Sequence, residues 1–299
     1  MLRLVGILWG ILLLGGCKMV PSWLSEAPLI GIQVTDDKGR KLYLPTAPKR
    51  VALATPEAFP LWEKAGLAER VVAGCYGTGE NTRIFFLRCD DSLSLTEALY
   101  RAQIDWVWVT HLSQISTFPE SKVYVYHPTS PEAWLRHFRL LGEVYDSKAI
   151  LHIADSLMQV LQFHKNQIQD ARRFRVAVLS PELPGGVLTQ SHPLVPLIEQ
   201  AGGTVIYKAA DNRPVALLPP DSLIQALPEV IILPENAQEA VNDLIRICPE
   251  VYNSPAVQYK RIFTVPEAMI RIPYADPLQT LYTLLYILHP EIAKASPNP

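Results

Sequence analysis

Seven histidines are spread over the 299-residue chain, at positions 111, 127, 137, 152, 164, 192 and 289. None follows another as His-x-x-x-His, so no helical turn presents a ready zinc or manganese ligand pair. A resident metal is therefore not expected, and a bare cation is the weaker choice of ligand. Other catalytic signatures are missing too: there is no Gly-x-Ser-x-Gly elbow, no Gly-x-x-x-x-Gly-Lys phosphate loop and no His-Glu-x-x-His. Gly185-Gly186 reads as a turn, since a dinucleotide site needs a third glycine between strand and helix. The remaining catalytic option is a carboxylate pair such as Glu182 and Glu235, which would have to sit about 5–10 Å apart with one raised pKa to hydrolyse a glycoside. That makes a hydrolase the rival reading. Absent such a pair, the expectation is that the chain is not an enzyme and has no cofactor.

A different group of residues suits binding without reaction. Thr55, Pro56, Tyr76, Thr110 and His111 in the first half each follow a strand-like segment, and Glu182, Arg213, Glu235, Arg271 and Tyr274 take corresponding places in the second. In parallel α/β structures, ligands sit beyond the carboxyl ends of the strands. Aromatic rings supply stacking area and arginine forks a carboxylate, a mixture suited to a large, flat or anionic small molecule. Tyr76, His111 and Tyr274 could equally hold a haem iron.

Alternating segments position these residues. Ile32 to Thr35 and Lys41 to Leu44 alternate around Asp36-Asp37-Lys38-Gly39 and read as a hairpin. Next come a strand at Arg50 to Ala54, a helix from Ala58 to Ala65 and a strand at Val71 to Ala73, an order that implies parallel pairing. A helix over Glu97 to Gln103 precedes the strand Trp106 to Val109, and a helix over Asp221 to Leu227 precedes Val230 to Leu233. Glu97 and Asp105 match Asp221 and Glu229 in spacing, a weak internal repeat that suggests two lobes built alike. Between them Ile150, Ile153, Leu157, Val160, Leu161 and His164 recur at helical spacing as one apolar stripe. This predicts a long connector helix over 143–172, with lobes at 32–142 and 173–299, two Rossmann-like α/β units with mostly parallel sheets and a ligand cleft between them. A stiff connector implies small lobe movements.

The first residues differ from the rest. Arg3 precedes the uncharged apolar run Leu4 to Leu14, too short to span a bilayer comfortably and ending in Leu14-Gly15-Gly16-Cys17. This is similar to a bacterial lipobox, which implies a signal peptide at 1–16, lipidation of Cys17 and a flexible tether at 17–31. Export would place Cys75, Cys89 and Cys248 in an oxidising compartment, where Cys75 and Cys89 are the sequence-near pair for a disulfide; two free buried thiols are the alternative. A formal net charge of −2 provides no field for nucleic acid, and none is expected as a partner.

Taken in order, several stretches resemble the substrate-binding proteins of the iron-siderophore, haem and cobalamin ABC importers. They are Thr35 to Arg40, Leu44-Pro45, Pro48 to Val51, Ala65 to Val72, Glu97 to Val109, Leu141-Gly142-Glu143, Ala201-Gly202-Gly203, Pro228 to Ile232, Ser254 to Val257, Arg261 to Val265 and Leu288 to Glu291. The chain departs from the family at Ala54 to Ala58, where serines are usual, and at Gln103-Ile104, where a proline is common. The resemblance implies an extracytoplasmic, membrane-anchored monomer that delivers a ferric siderophore, haem or cobalamin to a permease dimer. It also implies that Glu97 and Asp221 dock onto permease arginines, because widely separated charges fix the orientation of docking. A surface scavenger of the same ligand, without transport, is the other reading.

Overall fold

A computed structural model describes residues 31–75, 85–86, 92–115, 118–183, 185–207, 213–217, 226–235 and 252–295. β1 (Ile32–Thr35) and β2 (Lys41–Leu44) form the expected hairpin, with Ile32 opposite Leu44 and Thr35 opposite Lys41. Its turn closes on the Asp36 carboxylate, which accepts the Lys38 and Arg40 N–H groups at 3.0 and 2.9 Å. Gly39 adopts φ 75°, a conformation open to glycine at no steric cost.

The first lobe continues through β3 (Val51–Leu53), α1 (Phe59–Lys64), β4 (Val71–Gly74), β5 (Phe85–Phe86), α2 (Ser92–Arg101), β6 (Trp106–Val109) and β7 (Val123–Val125). These strands make one parallel sheet in the order β5-β4-β3-β6-β7. Alternation along β6 and β7 divides its faces. Trp106, Trp108, Tyr124 and Tyr126 point to one side and join Trp62 of α1 in the larger core. Val107, Val109, Val123 and Val125 point to the other and meet Leu95 and Leu99 of α2. Both faces are therefore covered, as a parallel sheet requires.

α3 (Pro131–Val144) starts at Ser130, whose side chain accepts the Ala133 N–H. A three-residue turn with Asp146 at φ 48° leads into α4 (Lys148–Gln169), the connector, capped by Ser147 and about 33 Å long at 1.5 Å per residue. The continuous helix thus begins five residues inside the expected boundary at 143, and Glu143 and Val144 end α3. The buried stripe of α4 is Ile150, Ala154, Leu161, His164 and Ile168. Ile153, expected on that stripe, is instead 44% exposed. Spacings of three and four each drift from the 3.6-residue turn, and here the face is set by Ala154, small enough to let the connector pack closely. α3 and α4 also approach tightly at Gly142, where a Cβ would lie 2.8 Å from the Leu151 side chain.

The second lobe comprises β8 (Phe174–Val178), β9 (Gly186–Leu188), α5 (Val195–Gln200), β10 (Gly203–Val205), β11 (Val215–Leu217), β12 (Val230–Pro234), α6 (Pro255–Gln258), β13 (Ile262–Val265), α7 (Glu267–Arg271), α8 (Pro277–Leu288) and α9 (Pro290–Ala295). Its parallel sheet has the order β10-β8-β12-β13, and β9 pairs with β11 as a small antiparallel ribbon.

The weak sequence repeat has a physical counterpart. Asp105 accepts the Arg50 N–H at 3.0 Å and returns its own N–H to the Arg50 carbonyl at 2.9 Å. Glu229 does the same with Arg175, at 3.0 and 2.9 Å. Two residues before each acid, Gln103 and Leu227 both adopt positive φ, 50° and 44°. Each lobe thus locks the start of its first sheet strand to a neighbouring strand with the same device.

One half-buried group makes stability depend on pH. Burial pushes His192 down to about 4, and its Nδ1 accepts the Leu194 N–H at 3.1 Å, a bond that protonation at that nitrogen would break. Above the ordinary histidine value of 6.5, both folded and unfolded chains are neutral there. Between 6.5 and about 4 the unfolded chain takes up a proton that the folded one refuses, so stability falls as pH falls. The urea midpoint should drop across this window, and His192→Asn, which keeps an acceptor, should flatten the dependence. Equal slopes for the two proteins would remove His192 as the cause.

Candidate ligand-binding site

In an open parallel sheet, the crevice opens where the strand order reverses. In the first lobe this point lies between β3 and β6, and the residues leaving those strands are Thr55-Pro56 and Thr110-His111. In the second it lies between β8 and β12, whose exits lead to Ser180 to Glu182 and to Glu235. Nine of the ten expected contact residues are described, and Thr55, Pro56, Thr110, His111, Glu182 and Glu235 lie at the two switch points or just past them.

Gln114 ties the first-lobe loops together. Its Oε1 accepts the N–H groups of Thr110 and His111 at 2.9 and 3.0 Å, and its Nε2 donates to the Ala54 carbonyl at 3.4 Å. Thr55 is buried and its hydroxyl donates to Glu57 Oε2 at 2.5 Å, so it orients a carboxylate and leaves His111 as the exposed neighbour. Across β7, His127 is likewise exposed, with its ring centroid 6.2 Å from that of His111. Cys75, at the exit of β4, is disulfide-bonded.

On the second lobe, Arg271 in the last turn of α7 is held between Glu267 and Glu182, the latter at 3.3 Å although 89 residues away. Its guanidinium is thus already shared by two carboxylates, and this rim of the site is net acidic. Glu235 is exposed at the end of β12, where its N–H donates to the Val265 carbonyl at 2.9 Å. Arg213 is exposed before β11, and its carbonyl accepts the Thr189 hydroxyl.

Tyr274 is occupied differently from expectation. It is only 9% exposed, and its hydroxyl donates to the Thr129 carbonyl at 2.7 Å, joining the loop beyond β7 to the loop beyond α7. Burial, with Glu132 nearby, pushes its hydroxyl up to about 12, so it remains a donor at any physiological pH. Lys64 bonds Asp276 at 2.8 Å beside it, and Gln200 donates to Glu132 at 3.1 Å on the connector side. The loops beyond the carboxyl ends of both sheets therefore meet, which puts the two switch points on adjoining edges.

Glu97 is exposed on α2, as the sixth residue of a ten-residue helix, and pairs with Arg101 at 2.5 Å. It lies too far along the helix for its first-turn dipole, so stabilising the helix start does not account for it. Tyr76, Cys17, Cys89 and Asp221 lie outside the described residues. His127, Gln114, Glu57 and Glu267 were not singled out from sequence. His127 follows Val123 to Tyr126, an alternating apolar and aromatic run to which the strand-exit rule applies equally well. Glu267 stands in the same relation to Ile262 to Val265.

No protein-family model and no curated protein matches the chain. The architecture nevertheless defines a class: this is the fold of the periplasmic binding proteins, two parallel α/β lobes bridged by one long helix. Among solved structures it is similar to the periplasmic vitamin B12 binding protein BtuF of Vibrio cholerae, with TM-score 0.64 and 17% identity over 84% of this chain and 99% of that one. A TroA-like periplasmic binding protein, FepB from Veillonella parvula, superposes with TM-score 0.71 at 13% identity, covering 89% and 92%. Helicobacter pylori CeuE with Ni(II) bound gives TM-score 0.62 at 15% identity, covering 89% and 91%.

Proposed function

We propose that this chain is an extracytoplasmic substrate-binding protein, anchored by lipid on Cys17, that captures a ferric siderophore, haem or cobalamin and delivers it to an ABC importer. The observation that carries this reading is the meeting of the two carboxyl edges, held by the Tyr274–Thr129 bond, over a connector with 22 uninterrupted helical residues. Such a frame holds a ligand between two rims without transforming it. The solved structures of this fold named above include a vitamin B12 binding protein and a TroA-like periplasmic binding protein, which agrees. The hydrolase reading is disfavoured because Glu182 is 58% exposed on its side chain and engaged by Arg271, whereas a catalytic acid in glycoside chemistry is raised by burial.

Tryptophan fluorescence tests the proposal. Trp62, Trp106, Trp108 and Trp134 are all buried in the first lobe, and Trp108 lies two residues before Thr110. Titration of the tag-free mature protein with haemin, a panel of ferric siderophores and cobalamin should give saturable quenching with Kd at or below about 1 µM for one of them, the affinity expected of a dedicated receptor. No saturable response to any member of the panel would refute it.

A further inference from the structure

The buried face of the first-lobe sheet carries chemistry that ligand capture does not use. Trp108 and Tyr124 are directly paired across β6 and β7, and their rings stack at 4.7 Å. Trp106 meets Trp108 at 5.2 Å and Tyr124 at 5.3 Å, and Trp62 meets Trp108 at 5.3 Å. Tyr145, half-buried at the end of α3, lies 6.0 Å from Trp62 and brings this chain of rings to the surface.

At its inner end the chain of rings reaches a base. Tyr124 Oη is 2.8 Å from His137 Nδ1, and His137 Nε2 is 3.0 Å from Asp37 Oδ2. Burial by itself raises the Asp37 carboxyl, but the bond and charge of His137 and the His127 N–H outweigh it and hold the group below its ordinary value. An ionised Asp37 takes the Nε2–H, which leaves Nδ1 of the neutral imidazole to accept from the Tyr124 hydroxyl. The Thr35 carbonyl, 3.4 Å from that hydroxyl, is more distant and is no base. Tyr145 and Tyr274 instead donate to backbone carbonyls, and Tyr126 Oη has no partner among the described residues.

We propose that Tyr124 is a redox-active residue, oxidised by one electron through the tryptophans while its proton passes to His137. The electron leaves the Tyr124 ring through Trp108 and Trp62 to a one-electron oxidant at the surface, the O–H bond breaks, and an N–H bond forms at Nδ1. The products are a neutral tyrosyl radical, a His137 imidazolium paired with Asp37, and the oxidant reduced by one electron. Charge decides where the hole comes to rest. Nε1 of Trp62, Trp106 and Trp108 has no acceptor among the described residues, so an oxidised indole keeps its proton as a buried, unpaired cation, which is costly. At Tyr124 the positive charge ends instead on an imidazole facing a carboxylate. A groove of about 680 Å³ lined by Asp37, His137, Tyr124 and Arg136 gives a small one-electron reductant, such as an enediol, access to return the electron as His137 returns the proton. The result is a sink for oxidising equivalents inside the first lobe, independent of which cargo the cleft takes.

Photogenerated tris(bipyridyl)ruthenium(III) is the oxidant for the test, with tag-free mature protein followed by transient absorption and by electron paramagnetic resonance of freeze-quenched samples. Exposed tyrosines such as Tyr259 and Tyr286 are oxidised too, but their radicals couple between molecules and decay at second order in protein. The Tyr124 radical should appear as a further tyrosyl signal whose decay is independent of protein concentration. Tyr124→Phe should abolish that signal, and His137→Gln, which keeps a hydrogen-bond acceptor without a base, should slow its formation about a hundredfold or more. Trp108→Phe should slow it as well, whereas Trp134→Phe, at a ring that stacks on Phe138, should not. In the wild type alone, exchanged into deuterium oxide, electron–nuclear double resonance should resolve one exchangeable hydrogen donated to the radical oxygen by a histidine nitrogen, a readout that needs no variant to fold. Absence of a concentration-independent tyrosyl signal, its survival in Tyr124→Phe, an unchanged rate in His137→Gln, or a radical oxygen lacking that hydrogen bond would each overturn the proposal.

Discussion

Trp108→Ala is expected to lower the unfolding free energy by about 3–5 kcal/mol, the range for removing a large aromatic side chain from a packed core. Trp108 is fully buried on β6, the strand between β3 and β7. Its ring stacks on Tyr124 at 4.7 Å and meets Trp62, Trp106 and Tyr126 at 5.2–5.3 Å. The hole left by alanine would be lined by rigid rings on three elements, which cannot close over it as flexible aliphatic chains would. Trp108→Phe should cost far less: it keeps ring contacts, and Trp108 Nε1 has no hydrogen-bond partner among the described residues, so no bond is lost. Urea unfolding followed by circular dichroism measures both. Similar losses for Phe and Ala would mean that something other than aromatic packing holds the first-lobe sheet.

Reversing charge at Glu97 and Asp221 together should abolish uptake while leaving cargo affinity in the purified protein unchanged. Glu97 stands exposed on α2, and Asp221 holds the corresponding place in the sequence repeat, eight residues before Glu229 as Glu97 is before Asp105. Individually, such exposed pairs contribute about 0–1 kcal/mol. Opposed to permease arginines in a desolvated interface, however, like charges cost several kcal/mol, so the double variant should lose roughly a hundredfold or more in transport. Uptake of the cargo by cells carrying Glu97→Lys with Asp221→Lys, against each single variant, is the measurement. Normal transport by the double variant would remove the docking assignment and favour the scavenger reading.

Much of the fold is legible in the residues because it is periodic. The hairpin around Asp36 to Gly39, the all-apolar runs Trp106 to Val109 and Val230 to Leu233, and a helix through 148–169 follow from alternation, β-branching and serine caps, signals that act over a few residues. Even the likeness of the lobes is visible as the Asp105 and Glu229 spacing, because the same backbone lock needs the same acid at the same place. The rule that ligand residues leave the carboxyl ends of strands places Thr55, Thr110, His111 and Glu235 at the sheet edges as well. Which face of α4 is buried was less clear, since a stripe through Ile153 and one through Ala154 differ by a single residue.

What local pattern could not supply is the pairing of residues far apart in the chain. Sequence names Arg271 and Glu182 as separate candidates, but the 3.3 Å contact that neutralises one with the other exists only once β8 and α7 are brought to one edge. It presents Tyr274 as a possible ligand contact, whereas the lobe arrangement assigns its hydroxyl to Thr129, 145 residues away. The proximity of His111 to His127 likewise depends on β6 and β7 lying side by side. Local propensity is decided by steric and hydrogen-bonding choices within a turn or two, and the sequence writes those directly. Long-range contacts depend on how the sheets close and how the connector holds them, a sum over the whole chain that only the folded protein evaluates.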